Sequence, residues 1–244
     1  MIANRLIAHR GCAKLAPENT LAAMKLTKTL GVDWVETDAN LMGDGSVVIF
    51  HDDTLDRLTR FSGELKSLSY NDVADVDIGS HFSRDFKDER ILTLRAMLDV
   101  LAEQGMGLNL EIKRYGHFSP ADIVNPTIEV IDKCWKDFDR LIISSFDHEI
   151  LRLIYQAKPD WQLGLLWEAL PSDWKSSADA IKAVSVHLDS TLITTRNARA
   201  VKQAGLDLYV YTVNDLADAK RLFEMRVDGI FTDDPTIFKE TIIS

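Results

Sequence analysis

An α/β fold built on a parallel sheet covered by helices is what this sequence predicts, on three observations. Short apolar, β-rich runs alternate with amphipathic stretches from end to end. Helix start and stop signals fall between those runs, such as Asn214-Asp215 before an apolar-periodic stretch and Gly205 after another. The composition, 46% hydrophobic and 27% charged over 244 residues, is that of a soluble chain able to bury a sizeable core.

Taken in order, the strand candidates are residues 6–9, 34–38, 47–51, 108–113, 141–145, 163–167, 184–188, 208–212 and 229–232. Helix candidates lie between most of them, among them residues 198–204 and 216–225. Pro17-Glu18-Asn19-Thr20 reads as a turn followed by a helix start capped by Asn19 or Thr20. Nine candidates exceed the eight strands of a closed barrel, so one is peripheral or misassigned. The pattern alone leaves an open doubly wound sheet as an alternative to a barrel.

Two connections break the alternation. Between Asp38 and Val47 only an extended return through Gly43-Asp44-Gly45 fits. Between Asp52 and Leu108 there is too much chain for one loop. Residues 54–88 are polar, with a helix start at Tyr70-Asn71-Asp72 and no strong core pattern. The whole chain, 1–244, is therefore expected to be one domain, with residues 53–94 an insertion after the third strand and not an independent unit.

Charge and cysteine usage exclude several classes. The balance of 28 Lys+Arg against 38 Asp+Glu is −10, and no basic patch offsets it, so nucleic acid and anionic membranes are not expected partners. An anionic substrate would need a locally positive site. Cys12 and Cys134 form no metal-binding or redox spacing, and a disulfide-built fold is excluded. The segment Met1–Arg10 meets charge too early for a signal peptide, and no apolar run approaches the ~18 residues of a membrane helix. A cytoplasmic protein without stable membrane association, monomeric or homodimeric, is the expectation.

The chemistry-bearing residues cluster at strand ends. Glu36 and Asp38, two apart, share one face of a strand, and Glu111 with Lys113 repeats the spacing. His9 closes the first strand and His51 the third, each after an apolar run. Carboxylates ~4 Å apart repel by roughly 4 kcal/mol at an effective dielectric near 20, so three acids together require neutralisation. A hard divalent cation, Mg²⁺ or Ca²⁺, supplies it through oxygen ligands. Arg10 and Lys113 are suited to hold phosphate oxygens, and His9 and His51 to exchange protons near neutral pH. Each signal alone has an ordinary structural reading: a strand-end histidine is more often a hydrogen-bonded support, and Glu-x-Asp usually faces solvent. Gly105-Met106-Gly107 is a turn. His81, His117, His148 and His187 are read as structural, with His117 placed where it could reach the site. The joint placement carries the functional reading.

These residues also match a known pattern. His9-Arg10-Gly11, Ala16-Pro17-Glu18-Asn19-Thr20, Glu36-Thr37-Asp38 and Val48-Ile49-Phe50-His51-Asp52 resemble the glycerophosphodiester phosphodiesterase family. The likeness continues through Glu111-Ile112-Lys113, Ser145-Phe146, Thr212-Val213-Asn214 and residues 228–235, and covers essentially the whole chain. It implies a (β/α)₈ TIM barrel that hydrolyses glycerophosphodiesters to sn-glycerol 3-phosphate and an alcohol. It further implies Mg²⁺ or Ca²⁺ on Glu36, Asp38 and Glu111, acid/base roles for His9 and His51, and a phosphate contact for Arg10. The glycerol 2-hydroxyl would attack first, giving a cyclic phosphate that water opens. Departures are few. Tyr211 stands where the family usually has Trp, changing an aromatic wall of the substrate site. Leu92 replaces a common Pro, and Cys12 beside the His9-Arg10-Gly11 turn is expected to confer thiol sensitivity. Two other readings share these residues: a lysophospholipase D-like enzyme, and a catalytically silent barrel serving as a binding protein.

Overall fold

The longer strands, of four to eight residues, carry Val, Ile and Leu on the face that helices cover, as a parallel sheet under helices requires. The computed structural model describes residues 5–238, so Met1–Asn4 of the expected non-signal N-terminus lie outside the described residues. In chain order the first half comprises β1 (Leu6–His9), α1 (Leu21–Thr29), β2 (Trp34–Leu41), β3 (Val47–Ile49), α2 (Tyr70–Val73), β4 (Leu92–Thr93), α3 (Leu94–Glu103) and β5 (Gly107–Ile112). The second half is regular: α4 (Pro120–Cys134), β6 (Leu141–Ser145), α5 (His148–Ala157), β7 (Gln162–Trp167), α6 (Trp174–Ala180), β8 (Ser185–Asp189), α7 (Thr195–Gln203), β9 (Asp207–Tyr211), α8 (Leu216–Glu224) and β10 (Gly229–Thr232).

Eight parallel strands close on themselves in the order β1-β2-β5-β6-β7-β8-β9-β10, and β1 completes the ring. Closure is made by Leu6 and Ile7 opposite Ile230 and Phe231 on one side, and by His9 opposite Glu36 on the other. The fold is a (β/α)₈ barrel, which settles the choice against an open sheet. Its outer layer packs strand residues such as Val35, Leu108, Ile143 and Val186 against helix residues such as Leu98, Ile131, Ile154 and Val201. Inside the barrel, Ile7, Trp34, Ile142, Tyr209 and Phe231 fill the lower end. With its floor packed this way, only the carboxyl end is open.

Local caps place the helices. Thr20 resolves the earlier ambiguity: its hydroxyl accepts from the Ala23 amide and starts α1. Asp147 and Asp215 cap α5 and α8 in the same way, and Gly205 stops the chain after α7 with φ +79°.

The expected strand 47–51 is the supernumerary one. Residues 47–49 return antiparallel along the outer end of β2, with Ala39 opposite Ile49, and then pair with β4. The cause is the tight Gly43-Asp44-Gly45 return, too short for the crossover a parallel strand needs. His51 thus reaches the barrel mouth on a hairpin and not at the end of a barrel strand. The polar stretch 54–88 also hides a core pattern. Leu55, Leu58, Leu65, Val73, Val76, Ile78 and Ile91 pack with Met42, Val48 and Phe50 of the hairpin into a separate apolar cluster. Its residues are spaced through turns and 3₁₀ segments, so no single periodicity announces them.

Candidate active site

The side chains at the mouth are set by strand register. His9 lies beside Glu36, Glu36 beside Asn109, and Asp38 beside Glu111. Strand alternation turns Glu36, Asp38, Asn109 and Glu111 inward. Ligand oxygens of Glu36, Asp38 and Glu111 lie within 4.8 Å of one another, all three side chains being buried. Two cations meet them: Lys113 Nζ stands 3.0 Å from Asp38 Oδ1 and also donates to Glu111, and Arg10 Nε stands 3.2 Å from Asp38 Oδ2. Asn19 Nδ2 donates to Asp38 as well (2.9 Å).

Positive charge is unevenly shared among the acids. Burial alone would raise Asp38, but Lys113 and Arg10 outweigh it and hold this carboxyl well below its usual range. Burial pushes Glu36 well above its usual range, and repulsion from Asp38 and Glu111 adds to it. Glu111 is raised by burial too, against the pull of Lys113. Glu36 Oε1 has no hydrogen-bond partner although it is buried. An all-oxygen set of three acids with one orphaned oxygen fits a hard divalent cation.

The backbone at the first turn is shaped for this purpose. Arg10 has φ +52° and Gly11 φ +79°, and a Cβ on Gly11 would lie 2.6 Å from Ala23 Cβ. That turn aims the Arg10 amide at Glu36 Oε2 (3.1 Å) and its guanidinium at Glu18 (2.9 Å).

Each mouth histidine is backed by a carboxylate. His9 Nδ1 lies 2.6 Å from Asp233 Oδ1, and Asn214 Nδ2 donates to the other Asp233 oxygen (2.7 Å). His51 Nδ1 lies 2.6 Å from Asp52 Oδ1, and Arg57 donates to Asp52 and to Glu18. A carboxylate there fixes the Nδ1–H tautomer and leaves both Nε2 atoms for the cavity. His9 Nε2 is 3.9 Å from Glu36. Burial depresses His51, with Lys113 and Arg10 adding to the effect and Asp38 and Asp52 opposing it. Tyr115 donates its hydroxyl to the His51 carbonyl.

One cavity of about 160 Å³ joins these groups: His9, Arg10, Glu36, His51, Glu111 and Lys113 line it, with Tyr211 and Phe146 as an edge-to-face aromatic wall. Every residue named from the sequence is therefore at one mouth; Asp38 sits just behind, wholly buried. Sequence reading missed Glu18, Asn19, Asp52, Asn214 and Asp233 as supports, although they lie inside the motifs quoted above, and Arg57, which lies outside them in the insertion. It also set His187 aside as structural, whereas this ring lines the cavity. His117 instead contacts Lys66 Nζ (3.2 Å), and His148 packs edge-on against Trp167. The expected reactivity of Cys12 does not hold. Its Sγ is buried against Thr27 Oγ1 (3.2 Å), and burial pushes the thiol up, which disfavours the reactive thiolate.

A barrel with its open carboxyl end occupied by an acid triad, two carboxylate-backed histidines and two cations defines a class, the barrel-fold phosphoric ester hydrolases. Residues 9–237 match the glycerophosphoryl diester phosphodiesterase family, and the chain belongs to it. A glycerophosphodiester phosphodiesterase of Caldanaerobacter subterraneus subsp. tengcongensis is 35% identical over 98% of this chain and 96% of its own. An Oleispira antarctica phosphodiesterase, solved with its product sn-glycerol-3-phosphate, superimposes with a TM-score of 0.94 at 32% identity, covering 98% of this chain and 97% of that one. A glycerophosphodiester phosphodiesterase from Agrobacterium tumefaciens superimposes at 0.82 with 25% identity over 98% of this chain and all of its own. The chain is accordingly an enzyme of the glycerophosphodiester phosphodiesterase class. Among the described residues no helix is long and apolar enough to cross a membrane.

Proposed function

We propose that this chain cleaves glycerophosphodiesters to sn-glycerol 3-phosphate and an alcohol, with His9 and His51 as the proton-transfer pair and Glu36, Asp38 and Glu111 as ligands for Mg²⁺ or Ca²⁺. The observation that carries the reading is the pairing of two Nδ1-anchored histidines with an under-neutralised acid triad in one cavity. The product held by the Oleispira antarctica relative supports the substrate class.

Arg10 and Lys113 bring positive charge to the phosphate within a protein of net charge −10. A histidine with a free, neutral Nε2 takes the proton of the attacking hydroxyl, and the other, protonated, returns one to the leaving alkoxide. Asp233 and Asp52 stabilise the imidazolium that forms at either position. Tyr211 and Phe146 supply an apolar wall for the alcohol side. A divalent cation on the three acids would polarise a phosphoryl oxygen and offset their mutual repulsion.

The test is release of glycerol 3-phosphate from glycerophosphocholine, before and after exhaustive chelation, alongside titration of Ca²⁺ and Mg²⁺ by calorimetry. Turnover lost on chelation and restored by one of the ions is the expected result. Turnover indifferent to chelation, with no ion bound, refutes the metal assignment.

A further inference from the structure

Deep in the cavity, beside and below the acids, two polar side chains each keep one atom without a hydrogen-bond partner. Asn109 is 1% exposed; its amide Nδ2 donates to Ser144 Oγ (2.9 Å), and its Oδ1 is left without a partner. His187 is fully buried; its Nε2 bonds Ser185 Oγ (2.9 Å), and its Nδ1 is likewise unpartnered. Both residues line the same cavity as His9, Glu36, His51 and Glu111. Natural interiors rarely leave two such groups unmatched, because each forfeits its bonds to water.

The ring of His187 is held in place by design of its neighbours. A Cβ on Gly164 would lie 2.6 Å from His187 Nε2, so only glycine leaves room for the ring on that side. Tyr209 and Phe231 pack against it, each with centroid at 5.3 Å. Burial among these rings keeps the imidazole neutral, down to about pH 3. Asn109 precedes Glu111 by two residues on β5 and lies beside Glu36 of β2, so it points the same way one step deeper than Glu111, ~6–7 Å along the strand. That is the reach of an extended three-carbon polyol attached to a phosphate held at the mouth.

Asn109 Oδ1 can only accept a hydrogen bond, while neutral His187 can donate or accept according to the orientation of the Ser185 hydroxyl. A hydroxyl group satisfies both. We propose that Asn109 and His187 form a polyol subsite at the floor of the cavity, which takes a free hydroxyl of the glyceryl group and makes the enzyme select glycerol esters over simple alkyl esters. The proposal rests on the function proposed above and names the residues that recognise its glycerol moiety.

The experiment compares dissociation constants of sn-glycerol 3-phosphate and ethyl phosphate, which lacks free hydroxyls, by calorimetry on the metal-loaded protein. The unmodified protein should bind glycerol 3-phosphate at least ~10-fold more tightly, the equivalent of about 1.4 kcal/mol. That ratio should collapse toward one in His187→Phe and Asn109→Leu, and recover in part in His187→Gln. Equal affinity for the two ligands in the unmodified protein overturns the subsite without any variant. So does a ratio that survives both substitutions, which would leave the floor holding structural water only. Failure of the unmodified protein to release glycerol 3-phosphate from glycerophosphocholine would sink the proposed function. Activity on that substrate with no ligand discrimination sinks the subsite alone.

Discussion

The two mouth histidines are held alike but by different parts of the molecule. His9 is backed by Asp233, which Asn214 holds; His9 ends β1, and Asp233 and Asn214 follow β10 and β9 of the closed ring. His51 arrives on the antiparallel return outside the ring and is backed by Asp52, which Arg57 of the insertion ties to Glu18. The ring fixes its histidine through hydrogen bonds between strands that cannot move independently. The hairpin fixes the other through an ion-pair chain whose Arg57 is 45% exposed. A closed ring confers rigidity by topology, whereas a loop needs charge to reach comparable order. The charges differ too: Asp233 meets a neutral amide, while Asp52 shares its charge with a guanidinium.

The largest effect should come from removing either imidazole. His9→Ala and His51→Ala should each lower kcat by ~10²–10⁴ with little change in melting temperature; full turnover in either variant would break the pairing. Next come the carboxylates. Asp233→Asn should cost about 10–10²-fold in kcat/KM, and Asp52→Asn less, because Arg57 already offsets part of the Asp52 charge. Equal losses would show that the two supports differ in architecture and not in electrostatics.

A second ring histidine, His187, extends the comparison to stability. Burial depresses His187 to about 3, against about 6.5 for an exposed imidazole. The unfolded chain therefore takes up a proton that the folded one refuses, and stability falls as pH drops below about 6.5 toward 3. The slope from this group is at most about 1.4 kcal/mol per pH unit. Denaturant unfolding at pH 6.5 and 4.5 should show a shallower loss in His187→Phe than in the unmodified protein. The smallest effect should be Arg57→Leu, at most about 5-fold in kcat/KM, the equivalent of about 1 kcal/mol for an exposed ion pair. A loss as large as that of His51→Ala would mean that the insertion's ion-pair chain, and not the hairpin backbone, places His51.

Much of this was legible in advance because strand-end chemistry follows from local pattern. The i, i+2 spacing of Glu36 with Asp38 and of Glu111 with Lys113 fixes a shared face whatever the topology. His51 was legible as a site residue but not as a hairpin residue, since an apolar run such as Val48-Ile49-Phe50 reads the same in a parallel or an antiparallel strand. Arg57 and Glu18 are separated by 39 positions and meet only because the insertion folds back over the first turn. His187 looked like any buried strand histidine; its place in the cavity depends on Gly164 of the neighbouring strand.

By itself the sequence determined the alternation of elements, the faces that carry acids and cations, and the motif set that marks the family, because each depends on residues a few positions apart. Only the tertiary structure decided that the ring closes at eight strands, which acid is left short of positive charge, and that Asp233 stands behind His9. It also decided that Cys12 is buried against Thr27, while His187, equally buried, lies at the cavity wall. Those outcomes depend on burial and on distances between residues far apart in the chain, which ring closure sets and no local pattern encodes.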